Sequence, residues 1–447
     1  MAEKNSNTWL KDWEPENPEF WTREGKKLAY RTLTVTTINL MLAFIVWFVV
    51  SALVVRLPQL GFKLDTAQLF WLTAMPGLAG GALRLVHMFL TPLFGTRMVV
   101  TLSTLSLLVP VMGWYFALQN PSTPFEVLLL LSFLAGLGGG NFSSFMPSTS
   151  LFFPKRLQGT ALAIQAGVGN FGVSLVQFLT PWIIGFALVG GGFLGVSQNM
   201  TLSSGIVQQV WLQNALTIYI PFLVVFSISA WFLLKSVPIK ANFKEQFDIF
   251  SKTNTWAMTS LYMMTFGAFS GLAGTFPLLI KQSYGGLEGA PDPLAFAFLG
   301  PLVGSLLRVL AGPLSDKIGG GKITTVAGLG MTICAVLVPQ FTHPTSMADF
   351  PWFLTSILGL FFFAGIGNAS TFKQMPMLFA PRQAAGVIGF TAALAAFGPF
   401  LFGMLFGAAF GAFGSPDVVF YGLGVFFLCN TLLNWSRFSR KNAPHPC

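Results

Sequence analysis

The chain has 447 residues, of which 53% are hydrophobic and only 9% charged, and its mean hydropathy is +0.68. A water-soluble protein cannot hide that much apolar surface, so the composition excludes a soluble globular domain and indicates a multi-pass membrane protein. The formal net charge of +10 does not argue for nucleic acid, because the basic residues are spread over short loops instead of clustering on one soluble face.

Residues 1–31 are polar and mixed in charge, with Trp9, Leu10, Trp13, Phe20 and Trp21 among the charges. They read as a tail with a short interfacial helix, without the pattern of a cleavable signal. Apolar stretches follow, with cores near 32–54, 68–91, 98–118, 125–147, 158–184, 212–234, 255–280, 293–313, 323–342, 351–379, 384–412 and 416–436. Each is near or above the roughly 20 residues that a helix needs to cross a bilayer. An even number of crossings puts both ends on one side. Lys4, Lys11, Arg23, Lys26, Lys27 and Arg31 in the first tail, the basic residues of alternate loops, and Arg437, Arg440 and Lys441 in the last tail place that side in the cytoplasm.

The polar break at 235–254 divides six expected helices, 32–234, from six more, 255–436, and 437–447 forms the second tail. The halves repeat each other. Gly136, Gly138, Met146 and Pro147 are mirrored by Gly365, Gly367, Met375 and Pro376. Arg84 and Arg308 interrupt matching apolar stretches about half the chain apart, and each is followed at the same spacing by a glycine, Gly95 and Gly319. The expected fold is an all-α membrane protein of two pseudo-symmetric six-helix bundles, the plan of a carrier that rocks about a central site.

An ionised side chain at mid-membrane costs about 2.5–3.5 kcal/mol even on the mildest scale. All the acidic residues fall in tails, loops or helix ends on these spans, so neither arginine has a carboxylate partner in the bundle core. The simplest neutralising charge is an anionic ligand, whose oxygens a planar guanidinium binds in parallel. His87, one turn from Arg84, is the lone candidate proton carrier at that depth. Packing or hydrogen bonding is its ordinary role, and the like charge of Arg84 disfavours its protonation. Without a resident proton carrier, exchange of one anion for another is the economical scheme. Cys334, Cys429 and Cys447 show neither metal-ligand spacing nor an indicated disulfide. No cofactor is called for, and no cluster with ligand or triad spacing supports a membrane enzyme.

The loop Gly312 to Gly319, the glycine-rich stretch Gly167 to Ser174 and the tail Trp13 to Trp21 together resemble the nitrate/nitrite porter family of the major facilitator superfamily. Gly312, Asp316, Lys317 and Gly319 look like the superfamily's conformational loop motif, and the first-half counterpart, Thr91 to Arg97, lacks the acid. The stretch Gly167, Gly169, Asn170, Gly172 and Ser174 is similar to the family's nitrate signature. The matching stretch of the eleventh crossing, Ala393 to Pro399, keeps Gly398 but carries Ala and Pro where family members often carry Gly. Trp13 to Trp21 resembles the branch that exchanges nitrate for nitrite.

The resemblance implies that Arg84 and Arg308 clamp the substrate, that Tyr262 hydrogen-bonds it, and that Asn170 lies near it. It implies aromatic walls from Phe142 and Phe266, with Phe44 and Phe372 as pocket or gate rings, although packing is the ordinary role of any one of 48 phenylalanines. Gly167, Gly169, Gly172 and Gly398 are implied to let helices slide. Lys373 is either a snorkelling side chain or a third positive group in the vestibule. The whole implies a monomeric exchanger of nitrate and nitrite in a bacterial inner membrane. A nitrate/proton symporter and a passive anion channel are the rivals.

Overall fold

The computed structural model describes residues 8–10, 12–187, 195–201, 205–238 and 244–447. Part of the 235–254 linker, Lys4 and Lys11 lie outside these residues, as do the side chains of Asp316 and Arg382. Among the described residues eleven helices are long and apolar enough to cross a membrane: α1 (Pro18–Leu53), α2 (Thr66–Ala117), α3 (Phe125–Ser150), α4 (Lys155–Ile183), α5 (Asn214–Leu233), α6 (Thr253–Tyr284), α7 (Pro293–Ser315), α8 (Gly320–Phe341), α9 (Met347–Leu378), α10 (Gly386–Phe413) and α11 (Asp417–Ser439).

The expected second and third crossings are both carried by α2, which is 52 residues long and turns at Gly95, where φ is 77° and ψ 160°. Gly319, between α7 and α8, has φ 102° and ψ 134°. Left-handed backbone at both places is accessible to glycine without a Cβ clash, which explains why a glycine follows each arginine at the same spacing.

Helix ends are set by local chemistry. Asp65 caps α2: its Oδ1 accepts from the Gln68 amide at 2.7 Å, and Gln68 Oε1 accepts from the Asp65 amide at 3.0 Å. This reciprocal box satisfies two end donors. Asp292 caps α7, accepting from the Leu294 amide at 3.0 Å. Acidic residues thus sit at helix N-termini, where the macrodipole favours them.

The first helix starts earlier than the apolar run at 32 does. Pro18 occupies its first turn and Asn17 Oδ1 accepts from the amides of Glu19 and Phe20. The expected separate interfacial helix is therefore continuous with the first crossing. Trp21 packs on Phe153, Trp13 on Phe152, and Trp13 Nε1 donates to the Leu151 carbonyl at 2.9 Å. The tail closes over protein side chains. A two-stranded antiparallel hairpin, β1 (Gln198–Thr201) with β2 (Val207–Val210), lies between α4 and α5 and had no counterpart in the hydropathy pattern.

Burial separates the helices. The hydrophobic windows of α1 and α6 are 83% and 94% buried, whereas the windows of α5 and α11 are 33% and 44% buried. Hence α1 and α6 occupy the centre. Outer helices turn Phe116, Phe232, Leu310 and Phe413 outward, the apolar face that a bilayer requires. Around the centre, α2 packs on α10 and α4 on α7.

Candidate functional site

Arg84 lies on α2 and Arg308 on α7, with exposures of 0% and 3%. Arg84 Nε donates to the Gly139 carbonyl on α3 at 2.9 Å, and Nη1 donates to the Ala392 carbonyl on α10 at 2.8 Å. Its Nη2 has no protein partner. Arg308 Nη2 donates to the Tyr262 hydroxyl on α6 at 3.2 Å, and its Nη1 has no partner. Among the described residues neither group pairs with a carboxylate: the ion pairs are Arg23–Glu24, Arg56–Asp292 and His343–Asp417.

Aromatic faces surround both cations. The Arg84 guanidinium carbon lies 4.6 Å from the Phe142 ring centre, 5.1 Å from Phe266 and 5.2 Å from Trp47. That of Arg308 lies 5.8 Å from Phe266 and 5.7 Å from Phe372. Phe266 therefore touches both. Tyr262 stacks on Phe266 at 5.4 Å with planes 10° apart, and Phe142 stacks on it at 6.3 Å. Each such cation–ring contact is worth about 0.5–2 kcal/mol. The rings and carbonyls soften the burial of two positive charges without cancelling either.

The structure thus brings Arg84, Arg308, Tyr262, Phe142, Phe266 and Phe372 into one cluster. Phe44 stands behind it, edge-on to Phe142 at 6.4 Å and to Trp47 at 5.3 Å, and backs the wall. Asn170 on α4 is fully buried, and neither atom of its amide has a partner. Asn368 on α9 is the same in both respects.

The glycines are contact points between helices. A Cβ at Gly167 would strike Val309 of α7, one at Gly169 would reach Leu40 of α1 at 2.9 Å, one at Gly172 would strike the Met41 carbonyl, and one at Gly398 would come within 2.7 Å of Ser270 Oγ on α6. His87 Nδ1 is hydrogen-bonded to Ser144 Oγ at 2.9 Å, and Thr91 Oγ1 donates to the Ser144 carbonyl at 3.0 Å. His87 belongs to a polar seam between α2 and α3. Lys373 is exposed, as is Lys317, while Gly312 is half-buried.

Trp47 was missed from the sequence, although it lies one turn from Phe44. The carbonyls of Gly139 and Ala392 were missed too, because a backbone acceptor leaves no mark in residue type.

A buried donor without a partner destabilises by about 1–3 kcal/mol, and more when it is charged. Arg84 Nη2 and Arg308 Nη1 are buried in that condition beside shared aromatic rings, and a small ion that accepts hydrogen bonds would satisfy both. Fold and site together define a multi-pass membrane carrier. The model of the Major Facilitator Superfamily matches residues 35–372. A probable nitrate/nitrite antiporter of Thermus thermophilus, NarK2, is 60% identical over 447 residues, covering 100% of both chains. The nitrate/nitrite transporter NarU of Escherichia coli strain K12 is 35% identical over 463 residues, covering 98% of each. A crystal structure of a bacterial homologue of the human lysosomal transporter Spinster, inward-facing and unoccupied, superposes with a TM-score of 0.62 at 16% identity, over 91% of this chain and 96% of that one; this likeness concerns the fold alone. The chain belongs to the Major Facilitator Superfamily and, within it, to the nitrate/nitrite porter family.

Proposed function

We propose that the protein exchanges nitrate for nitrite across a bacterial cytoplasmic membrane by alternating access. Its relatives are carriers, which removes the enzyme reading, and the relative that is 60% identical over its whole length is named as a probable antiporter. One observation carries the site assignment: two buried guanidinium groups flank Phe266, each with an N–H left unpartnered and with no described carboxylate to neutralise it.

In this reading Arg84 and Arg308 hold the anion from opposite halves. Tyr262 fixes Arg308 and can turn its hydroxyl to the ion. Asn170 supplies a neutral donor. Phe142, Phe266 and Phe372 exclude water and strengthen the remaining polar contacts, with Phe44 as their backing. Residues 32–234 and 255–436 move as two bodies joined by 235–254. Gly167, Gly169, Gly172 and Gly398 provide the close contacts across which helices slide, and the loop at Gly312, Asp316, Lys317 and Gly319 adjusts as they do. Both tails, 1–31 and 437–447, face the cytoplasm and the carrier works as a monomer. Lys373 adds positive charge near the inner vestibule.

Without a bound anion, two bare positive charges resist reorientation, and with one they do not; this couples inward to outward movement. The test is counterflow in proteoliposomes. Labelled nitrate should enter liposomes loaded with nitrite and not those loaded with buffer. Entry into buffer-loaded liposomes with acidification of the lumen would instead establish proton symport. Flux far above the usual turnover range of about 10³ per second would establish a channel.

A further inference from the structure

Arg84 and Arg308 are packed in matching ways. Gly80, one turn before Arg84, lies against Trp47 of α1 and Gly136 of α3; Gly304, one turn before Arg308, lies against Phe269 of α6 and Gly365 of α9. Aligning Gly136 and Gly138 with Gly365 and Gly367 puts Asn368 where the first half has Gly139. In the first half that position offers its backbone carbonyl to Arg84 Nε. In the second it carries a carboxamide that is fully buried, with Nδ2 and Oδ1 both unpartnered.

Helical phase places that carboxamide. Residues three and four apart share a face. Gly365, three before Asn368, lies with Gly304 Cα 2.8 Å from where its Cβ would be, which sets Asn368 level with Arg308. Thr371, three after it, shares a 3.2 Å hydrogen bond with Thr265 of α6. Phe372, four after it, meets Arg308 at 5.7 Å and Tyr262 at 5.9 Å. Asn368 is therefore bracketed by contacts to α6, α7 and the cluster itself. An amide buried without partners is destabilising, and the group nearest in level, Arg308, also has an unpartnered N–H.

We propose that Asn368 is a further residue of the anion site. Its Nδ2–H donates to an oxygen of the bound planar oxyanion, beside the free N–H of Arg308. Each half then supplies one arginine and one amide, from α2 and α4 in one case and from α7 and α9 in the other. This rests on the nitrate/nitrite reading and refines it. Nitrate has three oxygens and nitrite two, so the additional donor matters more for nitrate.

The experiment measures nitrate and nitrite affinity of the purified full chain by calorimetry, for the unmodified protein and for Asn368→Ala, Asn368→Asp and Asn430→Ala. Asn430 is a buried amide of α11 whose Nδ2 and Oδ1 are both already bonded. Asn368→Ala should weaken nitrate about tenfold, the worth of one hydrogen bond to a charged group, and nitrite less. The near-isosteric Asn368→Asp puts a carboxylate beside Arg308 and should abolish binding of both ions while the fold persists, so it decides the matter if the alanine variant does not fold. Asn430→Ala should bind like the unmodified protein. Unchanged affinities in Asn368→Ala or Asn368→Asp, or an equal loss for both ions in Asn368→Ala, overturn the assignment and leave the parent reading standing. An unmodified protein that binds neither ion overturns both.

Discussion

Arg84 and Arg308, from helices far apart in the chain, share a single ring: Phe266 lies 5.1 Å from one guanidinium and 5.8 Å from the other. The ring sits between two like charges. It offers each its negative face, and its bulk keeps water from screening them.

Because both groups bind through geometry as well as charge, Arg84→Lys and Arg308→Lys should each lower nitrate–nitrite exchange by about 10–100-fold, the loss of one charge-assisted hydrogen bond or more. Counterflow rates at matched reconstitution check this. Wild-type rates in both lysine variants would remove the arginines from the site.

At the end of the bundle where α1 finishes, Arg56 Nη2 meets Asp292 Oδ2 at 2.5 Å and Lys281 Nζ donates to the Val55 carbonyl at 2.5 Å. These contacts tie residues near 55 to the end of α6 and the start of α7. Asp292 is 39% exposed, so screening limits the pair to about 1 kcal/mol or less. Arg56→Ala should therefore raise the open population at that end by up to about fivefold. Maleimide labelling of Thr73→Cys, in a background without native cysteines, reports it. The swap of Arg56→Asp with Asp292→Arg should restore the original labelling, and an unchanged rate in Arg56→Ala would show that the pair is no latch.

Gly398 and Gly422 separate close packing from composition. A Cβ at Gly398 would lie 2.7 Å from Ser270 Oγ and 2.8 Å from the Gly267 carbonyl carbon, whereas one at Gly422 meets nothing within 4 Å. Gly398→Ala should destabilise by about 1–3 kcal/mol, the range for overpacking, and suppress exchange. Gly422→Ala should do neither. Thermal unfolding and counterflow on the same preparations distinguish the two.

Much of this arrangement was legible in the chain because the signals were chemical exceptions to an apolar background. Two arginines in apolar runs, with acids confined to helix ends, pointed to one buried cationic centre. The glycine after each arginine marked a turn that the structure places at positive φ. Tyr262 and the rings of Phe142, Phe266 and Phe372 came through family likeness, since no one phenylalanine among 48 is distinctive. The rest left no signal. Phe44 lies edge-on behind Phe142, and Trp47, which touches Arg84, was hidden in the apolar stretch of α1. The Gly139 and Ala392 carbonyls are backbone groups common to all residues. Hydropathy separates crossings at polar breaks, so it parted the two limbs of α2 that meet at the Gly95 turn, but it could not see that the tail from Pro18 continues α1 or that Gln198–Thr201 pairs with Val207–Val210.

Thermal unfolding with and without nitrate tests most directly whether the cargo supplies the missing negative charge. At a nitrate concentration about 100 times its dissociation constant, the unmodified protein should gain about 2.7 kcal/mol. The double variant Arg84→Gln with Arg308→Gln should start out more stable, because two uncompensated buried charges are gone, and should gain nothing from nitrate. A double variant that is less stable than the unmodified protein, or that nitrate still stabilises to the same degree, would contradict the account.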